Sequence, residues 1–170
     1  MNNYKVDLKI TTPILSSNRA EDGKFYFEKL NGHTVIKKAC FNAAKVMLFK
    51  TLGFAYPERE LQGIKIIPEI ESSTAPEVIN TYFRRITSRH EALTGCITIK
   101  FLTPDSVGEE LFTEFLSDIG AYIGLSPWGS RLGYGKFIVS SVEVLENAQI
   151  SDGTSHAESD CSTGGQHDQD

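Results

Sequence analysis

Between residues 124 and 135 the chain reads Gly-Leu-Ser-Pro-Trp-Gly-Ser-Arg-Leu-Gly-Tyr-Gly, four glycines in twelve residues. Glycine permits positive φ and close approach of backbone to a ligand, and successive exposed amides can form an anion-binding concavity. Arg131 adds a guanidinium that can take a phosphate through two hydrogen bonds, and Lys136 follows the loop directly. Trp128 offers a ring face for base stacking, as does Tyr134 between Gly133 and Gly135; stacking contributes roughly 1–3 kcal/mol per base. A second constellation lies upstream, where Arg84, Arg85 and Arg89 stand beside Tyr82 and Phe83. Cations interleaved with aromatics suit a groove that tracks phosphates and stacks bases. On strand geometry Arg84 and Arg85 would face opposite sides, leaving one of them for the ligand. A third constellation is Lys37, Lys38, Lys45 and Lys50, with no acid among them. Lys38 and Lys45 are seven residues apart and share a helix side, so they join the candidate phosphate contacts; a plain solvated face is the competing reading.

Chemistry beyond binding has few candidates. His33 and His90 are the imidazoles outside the C-terminal tail and the weak candidates for a general acid or base. The sequence holds no Gly-x-x-x-x-Gly-Lys-Ser/Thr, His-Glu-x-x-His or Gly-x-Ser-x-Gly motif. Three cysteines, none in a C-x-x-C pair, fit neither a disulfide scaffold nor a common zinc site. No metal and no cofactor is expected. Apolar runs of a few residues are far short of the roughly 20 needed to span a bilayer. Residues 1–9 alternate polar and apolar, so no signal peptide and a cytoplasmic, reducing location are expected.

These groups need elements to hold them. Tyr4, Val6, Leu8 and Ile10 alternate with polar residues, predicting a half-buried strand over 4–12, stopped by Pro13. A short strand is predicted over 25–30, with Asn31-Gly32 as its turn. Thr34 is read as the cap of a helix to about residue 52, its core stripe being Val35 or Ile36, Ala39, Cys40, Ala43, Val46 and Met47. Residues 63–70 and 94–103 read as strands. Ser106 and Glu109 form a capping box for a second helix, whose stripe includes Leu111, Phe115, Ile119 and Tyr122. Residues 136–145 form the last strand. The major elements thus run strand, helix, strand, strand, helix, strand. That order predicts an α+β fold of the ferredoxin-like (RRM-like) βαββαβ kind, decorated by a hairpin near 24–33 and a basic insertion near 72–93.

The net charge of −5 is unevenly placed. All 17 Lys and Arg lie in residues 1–150, whereas the last 20 residues carry five of the 22 acids and no Lys or Arg. The body is therefore neutral, one domain over 1–150. The Ser-, Gly- and Asp-rich segment 151–170 reads as a disordered acidic tail, because it has too little apolar surface to offset its ordering entropy. Such a tail can solubilise the protein, compete with nucleic acid for a basic groove, or recruit a protein partner.

With these motifs in place the chain resembles the repeat-associated mysterious protein (RAMP) superfamily of CRISPR RNA-binding proteins. Many members carry Gly-apolar-Gly, a spacer and a second Gly-apolar-Gly before the final strand. This chain has Gly124-Leu125-Ser126 and Gly133-Tyr134-Gly135, so the second half matches and Ser126 departs from the first. Ile10-Thr-Thr-Pro-Ile-Leu15 is similar to the Thr-Pro-apolar segment after their first strand. The same order, with a basic first helix and an Arg-Arg segment, resembles compact phage proteins of this kind. The resemblance covers about residues 4–145. It implies single-stranded nucleic-acid binding by subunits that stack along the strand as a homo-oligomer. Some relatives cleave RNA with a His, so a metal-independent endonuclease using His33 is one alternative; a binder of a small phosphorylated ligand is the other. DNA and RNA are not separated, because phosphate contacts and stacking serve both.

Overall fold

A computed structural model describes residues 1–71, 75–126 and 129–146. Trp128 and the acidic tail lie outside the described residues. The fold is α+β.

In chain order the strands before the first helix are β1 (Asn2–Ile10), β2 (Ile14–Leu15), β3 (Asn18–Arg19), β4 (Phe25–Tyr26), β5 (Glu28–Leu30) and β6 (His33–Val35). Helix α1 (Lys38–Leu52) runs into a 3-10 turn over Gly53–Ala55, and a short α2 (Glu58–Leu61) follows. Then come β7 (Lys65–Glu71), β8 (Glu77–Phe83), β9 (Ile86–Leu93) and β10 (Cys96–Thr103). Helix α3 (Glu109–Asp118) continues as a π-helical turn (Ile119–Ile123), a 3-10 turn covers Ser130–Leu132, and β11 (Phe137–Leu145) closes the described chain.

The main sheet has the order β11-β1-β10-β7, with every neighbouring pair antiparallel. Alternation in β1 buries Tyr4, Val6 and Leu8 on the helical side. There they meet Phe41 and Leu48 of α1 and Phe112, Phe115 and Leu116 of α3, in one cluster with Ile99 and Phe101. Phe101 is edge-on to both Phe41 and Phe112, at centroid separations of 5.3 and 5.4 Å, and Tyr4 stacks on Phe112 at 4.7 Å. Ring pairs of this kind add to simple burial. On the opposite face Lys5 pairs with Glu143, Lys100 with Glu71, and Asp7 accepts from the Thr98 and Ser141 hydroxyls at 2.6 and 2.7 Å. Those hydroxyl bonds, Thr98 first, hold the Asp7 carboxyl below its usual range.

A second sheet, β2-β9-β4-β3 with β8 on β9, stands beside it. The residues read as a basic insertion form the β8–β9 hairpin here, with Arg84-Arg85 as its two-residue turn. Both arginines take positive φ, +49° and +65°, so they sit in a turn and not on opposite sides of a strand. The Asn31-Gly32 turn is present between β5 and β6, again with positive φ at both residues, as a tight hairpin of this type requires.

Helix α1 differs from its predicted form in start and in phase. Thr34 lies in β6, and the helix begins at Lys38 with Lys37 as its N-cap. Its buried stripe is Cys40, Phe41, Ala44, Lys45 and Leu48, while Ala39 and Val46 face solvent. The bulk of Phe41 and Leu48 sets that phase, because burying two large apolar side chains outweighs burying two alanines and a valine. In α3 the N-cap is Gly108 without a side-chain bond, so the Ser106–Glu109 capping box does not form. Its buried face is Phe112, Phe115, Leu116 and Ile119, and Tyr122 is exposed.

Candidate nucleic-acid interface

The glycine-rich loop is folded against the segment that follows β1. Gly135 N–H donates to the Pro13 carbonyl at 2.8 Å, Leu125 N–H to the Gly135 carbonyl at 2.9 Å, and Lys136 N–H to the Thr12 hydroxyl at 2.9 Å. The arms of the loop touch: a Cβ on Gly124 would lie 2.7 Å from Gly135 carbonyl atoms, and one on Gly135 would lie 2.6 Å from Ser126 N. Glycine is required at both positions by contact and by positive φ. Ser126 is buried, and its Oγ accepts the Leu15 N–H at 2.8 Å. The departure from Gly-apolar-Gly therefore carries a hydrogen bond that glycine could not make.

This geometry corrects the idea of an amide cradle. The amides of Gly124, Leu125, Ser130, Leu132, Gly133, Tyr134 and Gly135 all donate to backbone carbonyls. They are not available to a phosphate. What the loop does present is Arg131, exposed on the Ser130–Leu132 turn.

Arg131 faces a cleft of about 650 Å³ whose described lining is Met47, Lys50, Thr51, Phe83, Arg84, Arg131 and Leu132. Three elements far apart in sequence meet here: the last turns of α1, the tip of the β8–β9 hairpin and the glycine loop. The described lining holds three cations and no carboxylate. None of the three forms an ion pair among the described residues. The Arg84 guanidinium lies 5.1 Å from the centre of the Phe83 ring, a cation–π contact that orients it. Phe83, Met47 and Leu132 supply the apolar wall.

Other candidate residues are distributed elsewhere. Arg89 lines a second cleft of about 660 Å³ with Arg19, Lys24 and Asp22. The Asp22 carboxyl is held below its usual range by the Lys24 amide first and then by the Tyr26 hydroxyl, with smaller help from Lys24 and Arg89 charges. Lys136 lines a third groove, beside Phe137 and Ile138. Arg85 is exposed at the hairpin tip, and Tyr134 is half-buried within the loop. Lys38 is exposed at the start of α1, about 18 Å along the axis from Lys50.

Lys45 is a correction. It is 4% exposed, and its ammonium donates to the Gln62 and Ile64 carbonyls at 2.9 and 2.6 Å. Burial, with a smaller push from Lys65, lowers its pKa to about 8. It pins the turn after α2 to α1 and offers nothing to a ligand. His90 is likewise fully buried, stacked 4.3 Å from Phe25 with Nδ1 3.2 Å from the Ser16 carbonyl, and burial lowers its pKa. His33 is exposed in β6 and is absent from the described lining of the Arg131 cleft. Among the described residues no cluster of three His, Cys, Asp or Glu could hold a metal, and no helix is long and apolar enough to cross a membrane.

Lys50, Met47 and Leu132 were not among the site residues read from the sequence, and neither were Arg19 and Lys24. The excess of lysine on α1 was visible; which lysine reaches the cleft depends on the helix phase.

No protein-family model matches the chain, and no curated protein matches it. Solved structures do. One neighbour is a chain in the cryo-EM structure of the type III-B Cmr-beta bound to cognate target RNA, at TM-score 0.60 and 13% identity. The match covers 85% of this chain and 61% of that one, so this chain spans less than two thirds of its neighbour's length. Another is a chain of a type IV-B CRISPR complex, at TM-score 0.50 and 11% identity, covering 86% of this chain and 91% of that one. The chain shares its fold with these CRISPR-complex chains.

Proposed function

We propose that the protein binds single-stranded nucleic acid, with the cleft between α1, the β8–β9 tip and the glycine loop as its principal phosphate site. One observation carries this reading: Lys50, Arg84 and Arg131 converge with no carboxylate in the described lining. Cations held together without counter-charge favour a polyanion, and the adjoining Phe83, Met47 and Leu132 give bases an apolar surface. The neighbour bound to target RNA supports the same class of ligand. We assign the core to the ferredoxin-like topology, supported by the antiparallel order β11-β1-β10-β7 with α1 and α3 as its connections. The open sheet face is not the binding surface in this reading, because Lys5, Lys100 and Asp7 there are already engaged and RRM-type recognition needs exposed rings on that face. Assembly as a homo-oligomer along the strand, as in the compact phage proteins it resembles, completes the proposal. Cleavage by His33 or His90 is not part of it.

Titration with fluorescent single-stranded DNA and RNA at several salt concentrations tests the reading. Arg131→Ala is expected to lose about 1–3 kcal/mol of affinity, the range for a hydrogen bond to a charged group. Its thermal stability should change by under about 0.5 kcal/mol, as for an exposed substitution. Wild-type affinity in that variant would sink the assignment. Equal affinity for a mononucleotide and a long strand would instead favour the small phosphorylated ligand.

A further inference from the structure

We propose that Thr12 is a positioning residue for Arg131, a role that rests on the reading of the cleft as a phosphate site. The Thr12 hydroxyl donates to the Gly133 carbonyl at 2.6 Å and accepts the Lys136 N–H at 2.9 Å. One side chain from the segment after β1 thus spans the last turn of the loop. Two further bonds lie alongside it, from the Thr11 and Thr12 amides to the Lys136 carbonyl at 2.9 and 3.2 Å.

The glycines of the loop are restrained in different ways. Gly124 and Gly135 are fixed by close contact with each other's strand of the loop. Gly133 is not: its φ is +85°, and an added Cβ would meet nothing within 4 Å. Glycine has the largest backbone freedom of any residue, so a glycine in open space holds its conformation only through hydrogen bonds. Gly133 closes the turn that carries Arg131, its N–H bonded to the Ser130 carbonyl at 3.0 Å. Its carbonyl is tied to the rest of the fold by the Thr12 hydroxyl. Arg131 has no ion pair among the described residues to aim it. The direction of its side chain is therefore set by the turn beneath it, and Thr12 anchors that turn to the main sheet. A hydroxyl remote from any ligand contact acts on affinity through a cation one turn away.

A double-mutant cycle in the full chain tests this, using Thr12→Val, Arg131→Ala and the double variant against fluorescein-labelled thymidine and uridine homopolymers. Valine keeps the branched shape and removes the hydroxyl. In the wild-type background Thr12→Val is expected to weaken binding about three- to tenfold, the worth of one neutral hydrogen bond. In the Arg131→Ala background its effect should fall below about twofold, because coupled residues are non-additive. The salt dependence should flatten in Thr12→Val as it does in Arg131→Ala, which a merely less stable protein would not show. Thr12→Ser, which retains the hydroxyl, should bind like wild type, whereas Thr12→Ala, used where the valine variant folds poorly, should lose affinity as Thr12→Val does. Equal losses in both backgrounds, unchanged affinity in Thr12→Val, or weakened binding by Thr12→Ser would each overturn the positioning role. If Arg131→Ala weakens binding and Thr12→Val does not, only this role fails; if Arg131→Ala binds like wild type, the phosphate site fails and Thr12 with it.

Discussion

The two clefts beside the β8–β9 hairpin are nearly equal in volume and carry the same number of cations, yet they are built differently. In the first, Lys50, Arg84 and Arg131 come from three separate elements and meet no carboxylate in the described lining. In the second, Arg19, Lys24 and Arg89 share the lining with Asp22, whose carboxyl is held below its usual range by the Lys24 amide and the Tyr26 hydroxyl, with smaller help from the Lys24 and Arg89 charges. Cation count alone is thus not expected to set affinity for a phosphate chain. An internal carboxylate lowers the local potential, and a ligand must compete with it.

The sharpest way to break this contrast is to remove each trio. Lys50→Ala, Arg84→Ala and Arg131→Ala together are expected to weaken single-strand binding at least about 100-fold. They should also reduce the salt slope by about 2, near 0.7 for each lost phosphate contact. The matching Arg19, Lys24 and Arg89 variant, measured in the same salt series, should lose less than about tenfold. Reversal of that ranking would mean that Asp22 does not govern the second cleft.

Next in size is the loop that supports only the first cleft. Gly135→Ala places a methyl within van der Waals distance of Ser126 and forces a non-glycine residue into positive φ. A loss of about 1–3 kcal/mol of stability is expected in chemical denaturation. Gly133→Ala, with open space around it, should lose about 1 kcal/mol from φ alone. Equal losses would show that contact between the loop arms is not what fixes them.

Helix α1 offers a smaller test, because Lys45 and Lys50 lie on the same element in opposite roles. The folded pKa of Lys45, about 8, lies below the ordinary lysine value of 10.5. The unfolded chain therefore binds more protons between those pH values, and stability rises with pH across the window. The rise should amount to about 1–3 kcal/mol and vanish in Lys45→Met, with single-strand affinity unchanged. Tyr56, whose pKa is raised by burial and by Asp118, acts in the opposite sense only above about pH 10. The buried Cys40 thiol, pushed up by burial, also acts in the opposite sense within the window, so the lysine is read as the difference between wild type and Lys45→Met between pH 7.5 and 9.5. A pH profile left unchanged by Lys45→Met would remove the buried charge from the account.

Local signals in the sequence were read where a single element decides them. The alternation of β1, the Asn31-Gly32 turn, the β-branched run of β10 and the two glycine triplets all appear where their residues imply. The α+β order was legible for the same reason. Helix phase was not, because Lys45 and Val46 exchange places when Phe41 and Leu48 take the core. The hairpin was not legible either. Arg84-Arg85 is a poor match to the Asn-Gly chemistry of tight turns, and only the pairing of β8 with β9 along their full length imposes it. The cleft was least accessible, since Lys50, Arg84 and Arg131 are brought together by tertiary packing that no spacing encodes.

That hairpin turn has a cost written into its backbone. Two side chains with a Cβ occupy the left-handed region, each at roughly 1–2 kcal/mol, where Asn-Gly would sit without strain. The backbone of the tip therefore works against its own stability. Arg84 and Arg85 trade rigidity of the hairpin for positive charge at its most exposed point. A search for stabilising substitutions would find this turn early, and accepting them would remove the guanidinium that faces the cleft. Under the proposed phosphate reading, thermal robustness and ligand affinity are set in opposition at Arg84, so improving either one is a measure of what the other was worth.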